Sequence, residues 1–393
     1  MFMPISDAPN PKGVPFATWT LIALNVAAFL LINVPLGAQR ADVNDPEFRE
    51  YVEFLSQQVG DRATLEQISQ QTSAYDLFVF KHGYRPARGS LTDLLFAMFL
   101  HGGFMHLFGN MLFLWIYGDN VEHRLGTIPF VFWYLLTGVA ATLFHAAVFS
   151  TSDVPLVGAS GAISGVLGFY FIWFPRNTVR VLAFLPPFLM QVFSIPARFV
   201  LGVYLFLDNV VPFFFAGAGG VAHGAHIGGF LAGGLAAWVM DRRWAAARPK
   251  DIGAPKVVPI GGQAVRKALE SGRYDQAASD YFALPAAAAR GALSPPEAVA
   301  LGSWLRDNGH ADAALVMLRR VIRDTPQAPG LAEVYALAGS ILLKDKGDAP
   351  AAYQYLLTAL DIGPKPETAA EVRRELATIE SQQQLRPGRF TRH

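Results

Sequence analysis

Between Phe16 and Met240 the chain returns repeatedly to long apolar runs, and that pattern leaves few structures open to it. A bilayer core of roughly 30 Å is crossed by about 20 apolar residues in a helix, with a range of about 17–25. Backbone groups facing lipid must pair within their own segment, so an apolar run of this length spans as a helix. Six segments are predicted to do so: Phe16–Leu36, Phe104–Tyr117, Ile128–Phe149, Ala159–Phe174, Phe199–Phe215 and Ala222–Met240. The second, fourth and fifth are short, as expected for helices that begin in a protein-lined cavity. Hydrophobic residues make up 52% of the sequence and charged ones 16%, against about a quarter charged in an average soluble domain. That deficit lies almost wholly before Asp241, so the chain reads as an apolar half joined to a soluble one. The fold class expected is all-α, a polytopic six-helix membrane bundle followed by a soluble helical repeat domain.

The first apolar run is too long for the core of a cleaved signal peptide and is read as a retained span. Basic residues then give the orientation, because cytoplasmic connections are enriched in Lys and Arg. With the N-terminus inside, Arg124, Arg176, Arg180, Arg242, Arg243, Arg248 and Lys250 all fall on inner connections. The outer connections 150–157 and 212–221 hold no basic residue. Both termini are therefore expected in the cytoplasm. The boundaries read as an N-terminal tail over 1–15, a membrane domain over 16–241, a Pro/Gly linker over 242–262, a helical domain over 263–385 and a short tail over 386–393. Val181–Ile195 is apolar but interrupted by Pro186 and Pro187, and reads either as an interfacial stretch or as part of the fifth span. Within the long outer loop, 37–99, the segment Pro46–Gln57 alternates apolar and charged residues at helical spacing. It is expected to pack onto the outer end of the bundle.

Ionisable and polar side chains inside spans are costly, so each is a functional candidate. Three clusters stand out: His101 through His106 to Asn110, Gly158-Ala-Ser160-Gly161, and His223 through His226 to Gly233. Spans two, four and six all run from outside to inside, and each cluster lies at or near the start of its span. The three are thereby brought to one depth of the membrane. A serine between glycines at a helix N-terminus has room for a substrate backbone, unpaired N–H groups beside it and a favourable dipole. Gly161 and Gly165 on one span, with Gly229 and Gly233 on another, allow close backbone approach. Ser160 and His226 would then meet as nucleophile and general base. His106 and Asn110, four apart on one helix face, would supply oxyanion donors with the serine's own N–H.

The patterns H-x-x-x-x-H-x-x-x-N, G-x-S-G and A-H-x-x-G-x-x-x-G, in that order and on those spans, resemble the rhomboid intramembrane serine proteases over about residues 15–241. The resemblance implies a Ser160–His226 dyad without an acidic third member. It implies an oxyanion hole from His106, Asn110 and the Ser160 backbone, with His101 and Gly158 lining the site and a structural role for Glu122-His-Arg124-Leu-Gly126. Substrates would be the transmembrane segments of other membrane proteins within the lipid bilayer, and a bacterial inner membrane is the expected location. Some members carry Trp-Arg where this chain has Thr92-Asp93, an aromatic that stacks on the catalytic histidine where it has Ser164, and asparagine where it has His223.

In the soluble half, Gly272, Gly309 and Gly347 each open a similar stretch, and 311–326 matches 349–364 at an offset of 38. That spacing is close to the roughly 34 residues of a tetratricopeptide repeat, so a protein partner is expected on this tail. A chain without cysteine has neither disulfides nor a thiolate metal site, and no H-E-x-x-H motif occurs; neither metal nor cofactor is expected. The net charge of +1, without a basic stripe, gives nothing for nucleic acid. The alternative reading is a non-catalytic relative that binds clients and recruits a partner through its tail.

Overall fold

The computed structural model describes residues 2–11, 13–59, 65–185, 189–215, 221–246 and 262–384. It divides into two compact units, one holding most of residues 1–237 and the other most of the chain from Trp238 onward.

The first unit is built from helices at the positions of all six expected spans. They are α1 (Phe16–Gly37), α6 (Phe104–Leu125), α7 (Thr127–Val148), α8 (Ser160–Trp173), α9 (Ala197–Phe215) and α10 (His223–Ala246). By length and composition α1, α7 and α9 are each apolar enough to cross a membrane. Helix α6 qualifies together with α5 (Leu91–Phe99), from which it is bent by 89°. Helices α6 and α10 run further than the sequence reading, α10 to Ala246 and α6 past Tyr117 through the polar Asp119-Asn-Val-Glu122 stretch. In that stretch Glu122 is buried and accepts bonds from the N–H groups of Ala17 and Thr18 and the Thr18 hydroxyl, each at 2.8 Å. The carboxylate thus satisfies donors at the start of α1 that the helix itself leaves unpaired. It also accepts from the Thr127 hydroxyl at the start of α7, at 3.1 Å.

Among the described residues two helices carry a π-helical turn, Phe29–Asn33 in α1 and Phe206–Val210 in α9. In each case a proline follows within two residues of the turn, Pro35 and Pro212. Proline brings no N–H to the ladder and clashes with the carbonyl four residues back, and a widened turn relieves both.

The fold is mostly helical, as expected, and beside the helices stands an unexpected three-stranded sheet in the order β1 (Phe2–Ala8), β2 (Thr178–Leu185), β3 (Leu189–Pro196). Residues 181–185 and 189–195 are therefore strand rather than span. Val179, Val181 and Ala183 are buried and their neighbours less so, which is the period of a strand with one face covered. Pro186 and Pro187, on which the sequence reading turned, lie outside the described residues. Asp7 of β1 accepts bonds from Asn120 of α6, at 2.9 Å, and from the Tyr170 hydroxyl of α8.

The long loop over 37–99 has a small core of its own. Helix α2 (Pro46–Val59) buries Phe48 and Val52 with Ile68 of α3 (Leu65–Gln71) and Leu77 of α4 (Ala74–His82). The expected amphipathic helix is present, and its buried side chains pack on the loop's other helices. Ion pairs fasten it, Lys81 to Asp45 at 2.6 Å and Arg85 and Arg88 to Glu50 at 2.8 and 2.7 Å.

Of the second unit, residues 262–384 hold helices α11 (Gln263–Glu270), α12 (Tyr274–Ala283), α13 (Pro295–Asp307), α14 (Ala311–Asp324), α15 (Leu331–Lys344), α16 (Ala349–Ile362) and α17 (Pro366–Gln384). Helices α12, α14 and α16 each start just after one of the glycines Gly272, Gly309 and Gly347. All three have φ between 65° and 82°, a region closed to most side chains, which is why glycine recurs there. One continuous core of Ala, Leu, Val and Ile side chains runs through these helices. Most of the expected linker, 247–261, and the tail 386–393 lie outside the described residues.

Candidate active site

Helices α8 and α10 meet backbone to backbone. A Cβ placed on Gly229 would strike the carbonyl oxygen of Gly161, and one on Gly233 that of Gly165. On the facing helix, a Cβ on Gly168 would strike the carbonyl of Phe230. Contact this close requires glycine on both sides, since no side chain fits between the two chains. It brings the ends of the helices together where Ser160 opens α8 and His226 lies in the first turn of α10. The Ser160 hydroxyl lies 2.8 Å from Nε2 of His226.

The second imidazole nitrogen is also engaged. Nδ1 of His226 lies 2.7 Å from the side-chain oxygen of Asn209, on the π-helical turn of α9. Asn209 is buried, and its amide nitrogen donates to the Tyr204 carbonyl at 2.8 Å. The Tyr204 ring lies 6.4 Å from the imidazole with the planes 30° apart, and its hydroxyl is 3.0 Å from that of Ser164. Neither Asn209 nor Tyr204 was singled out from the sequence. The signal available was an Asp-Asn pair inside an apolar run, three residues before a proline.

On the other side of Ser160 stands the start of α6. Gly158 has φ +117°, which a residue with a side chain rarely adopts, and a Cβ there would lie 2.8 Å from Cε1 and Nε2 of His106 and 3.8 Å from the Asn110 amide nitrogen. The bare glycine thus lets two donors reach the space beside the serine. Nδ1 of His106 accepts from the Gly102 N–H at 3.2 Å, so in the neutral ring the hydrogen sits on Nε2, toward Gly158. The Asn110 amide nitrogen is buried without a partner, a donor facing that space. His101 is buried, with its ring 5.2 Å from that of His106, and its backbone is held by Tyr75 and Asn33. A cavity bordered by Gly138, Gly158, Ser160, Gly161 and Ala225 opens next to the hydroxyl, and its walls are mostly small residues, with Met98 and Leu156 the large ones. Among the described residues no group of three or more His, Asp or Glu side chains is arranged to hold a metal ion.

Residues 88–243 match the rhomboid domain, a stretch that contains Ser160, His226, Asn209, His106, Asn110 and His101. Similar curated proteins include Rhomboid protein 1, mitochondrial, of Saccharomyces cerevisiae, 29% identical over 161 residues, covering 39% of this chain and 43% of the yeast protein. Another is Rhomboid protease GluP of Bacillus subtilis, 30% identical over 157 residues, 40% of this chain and 24% of that one. Rhomboid-like protein 11, chloroplastic, of Arabidopsis thaliana is 30% identical over 172 residues, 40% of this chain and 55% of the plant protein. These matches support the rhomboid family. The chain spans about a quarter to about half the length of these rhomboid relatives. Together with the apolar helices they support an integral membrane protein of rhomboid type. Since the rhomboid relatives carry mitochondrial and chloroplastic names as well as a bacterial origin, the expected bacterial inner membrane does not follow from them.

Proposed function

We propose that the protein is an intramembrane serine endopeptidase that cuts transmembrane segments of other membrane proteins, with Ser160 as nucleophile and His226 as general base. The observation that carries this reading is the 2.8 Å contact between the Ser160 hydroxyl and His226 Nε2, with the unpartnered Asn110 amide nitrogen on the far side of the serine. His226 Nε2 takes the hydroxyl proton as Ser160 Oγ attacks a peptide carbonyl carbon. Negative charge collects on the carbonyl oxygen and receives hydrogen bonds from His106 Nε2–H, Asn110 Nδ2–H and the Ser160 backbone N–H at the helix end. When the C–N bond breaks, the proton held on His226 passes to the departing amine. Water then attacks the ester, gives its proton to His226 and restores the serine.

The small-residue cavity beside Ser160 favours a substrate with a small side chain at the cut. A transmembrane helix keeps its carbonyls in its own hydrogen bonds, so segments with helix-breaking residues near the cut are preferred. In this reading six helices span the bilayer, both termini are cytoplasmic, the site opens toward the outer face, and His101 lines its water-accessible side. The C-terminal helices form a tetratricopeptide-like array that binds a protein partner, supported by the glycine-opened helices at 272, 309 and 347.

The test is cleavage of a fluorescent transmembrane substrate by the protein in lipid, beside Ser160→Ala. The parent is expected to cleave, and the variant to be slower by on the order of 10³-fold or more. Equal cleavage by both would remove Ser160 from the reaction. No cleavage by either, across substrates with varied helix breakers, would leave the client-binding reading standing.

A further inference from the structure

We propose that Asn209 is a positioning residue, whose side-chain oxygen holds His226 with its hydrogen on Nδ1 and so leaves Nε2 free to act as base toward Ser160. This rests on the Ser160–His226 reading above.

The argument begins from which atoms are able to donate. The Tyr204 carbonyl only accepts, so the Asn209 atom 2.8 Å from it is the amide nitrogen, and the oxygen is the end that faces His226. That oxygen accepts and cannot donate, so the hydrogen of the 2.7 Å contact belongs to Nδ1. A neutral imidazole carries one N–H, and fixing it on Nδ1 leaves the Nε2 lone pair aimed at the Ser160 hydroxyl, 2.8 Å away. Without Asn209 both tautomers are open to the ring, and one of them presents N–H to the serine and cannot accept its proton.

The backbone explains how a residue on α9 reaches so far. Asn209 lies in the π-helical turn before Pro212, where the widened helix turns the side chain inward to full burial. The same helix contributes Tyr204, whose hydroxyl bonds to Ser164 one turn below Ser160 on α8. The aromatic that some rhomboids place at position 164 is thus replaced by one from the neighbouring helix, and α9 grips both the histidine and the helix that carries the serine. An amide does this without a formal charge, whereas a carboxylate inside the membrane domain carries a solvation cost.

Steady-state cleavage of the fluorescent substrate by the full chain in lipid would be measured for the parent, Ser160→Ala, Asn209→Leu and Asn209→Asp, with thermal unfolding for each. Asn209→Leu is expected to lower kcat about 10²-fold, the low end of what general-base catalysis supplies, with KM within about twofold of the parent. Asn209→Asp keeps an acceptor opposite Nδ1 and is expected to recover kcat to within about tenfold of the parent. If Asn209→Leu does not fold, Asn209→Ser, too short to reach Nδ1, takes its place with the same expectation. Parental kcat in the folded Leu or Ser variant, a loss seen in KM alone, or an Asp variant no better than Leu would each overturn the proposal while leaving the dyad intact. A parent that does not cleave, or a Ser160→Ala variant that does, would instead overturn the dyad, and the role of Asn209 with it.

Discussion

Glycine is buried between helices in both halves of the molecule, and it does different work in each. Between α8 and α10, the atoms that a Cβ on Gly229 or Gly233 would meet are backbone carbonyls, fixed in their own helix ladders. At Gly302 of α13 the nearest atoms are the ends of Leu337, Leu318 and Met317 side chains, at 3.1 to 3.4 Å. The contrast follows from the solvent. Helices in lipid gain nothing from burying leucine, and associate by bringing backbones close. Helices in water associate by burying apolar side chains, and the core of the C-terminal unit is accordingly rich in Leu, Val and Ile. A glycine in the first setting defines a distance, whereas in the second it fills a gap that its neighbours can reshape.

That difference predicts unequal costs for the same change. Gly233→Ala should separate α8 from α10 and move His226 off Ser160; a displacement near 1 Å is worth about 10²-fold in rate, read as kcat in the cleavage assay. Parental activity for this variant would show that the helix contact does not set the site. In the C-terminal unit the large effect should come from removing side chain, not adding it. Leu318→Ala empties a fully buried position and should cost about 2–5 kcal/mol in unfolding of that unit, followed by denaturation of the full chain. Gly302→Ala sets about 1 kcal/mol of improved helix propensity against contacts that flexible side chains can yield, so its stability should stay within about 1 kcal/mol of the parent. Smallest of all should be Asp345→Asn, which breaks the 2.9 Å ion pair with Arg306 at partly exposed side chains, worth about 0–1 kcal/mol. A Gly302→Ala cost matching that of Leu318→Ala would erase the distinction between the two kinds of glycine.

The helices of the membrane unit were legible because apolar length is a strong, local signal; even the start of α8 at Ser160 falls within a residue of its expected place. Ser160, His226, His106 and Asn110 could be read because each is polar within an apolar run, and polar residues in such runs are few. Asn209 shares that property and was missed, since its meaning depends on a π-helical turn that shifts the register by one residue. The strands β2 and β3 were hidden for another reason. A run of apolar residues with prolines in it does not reveal its period until burial shows which face is covered, and β1, their partner, comes from the far N-terminus.

Glu122 has a consequence for the order in which the chain matures. The donors it satisfies belong to Ala17 and Thr18, residues made 105 and 104 positions earlier. Throughout synthesis of residues 37–99, helix α1 therefore lacks the carboxylate that completes its N-terminus. Only when residue 122 exists can that end be closed, and the Thr127 hydroxyl joins the same carboxylate five residues later. Helix α1 thus waits for α6 and the start of α7 to be fastened, and one acidic side chain acts as the clasp for three helices.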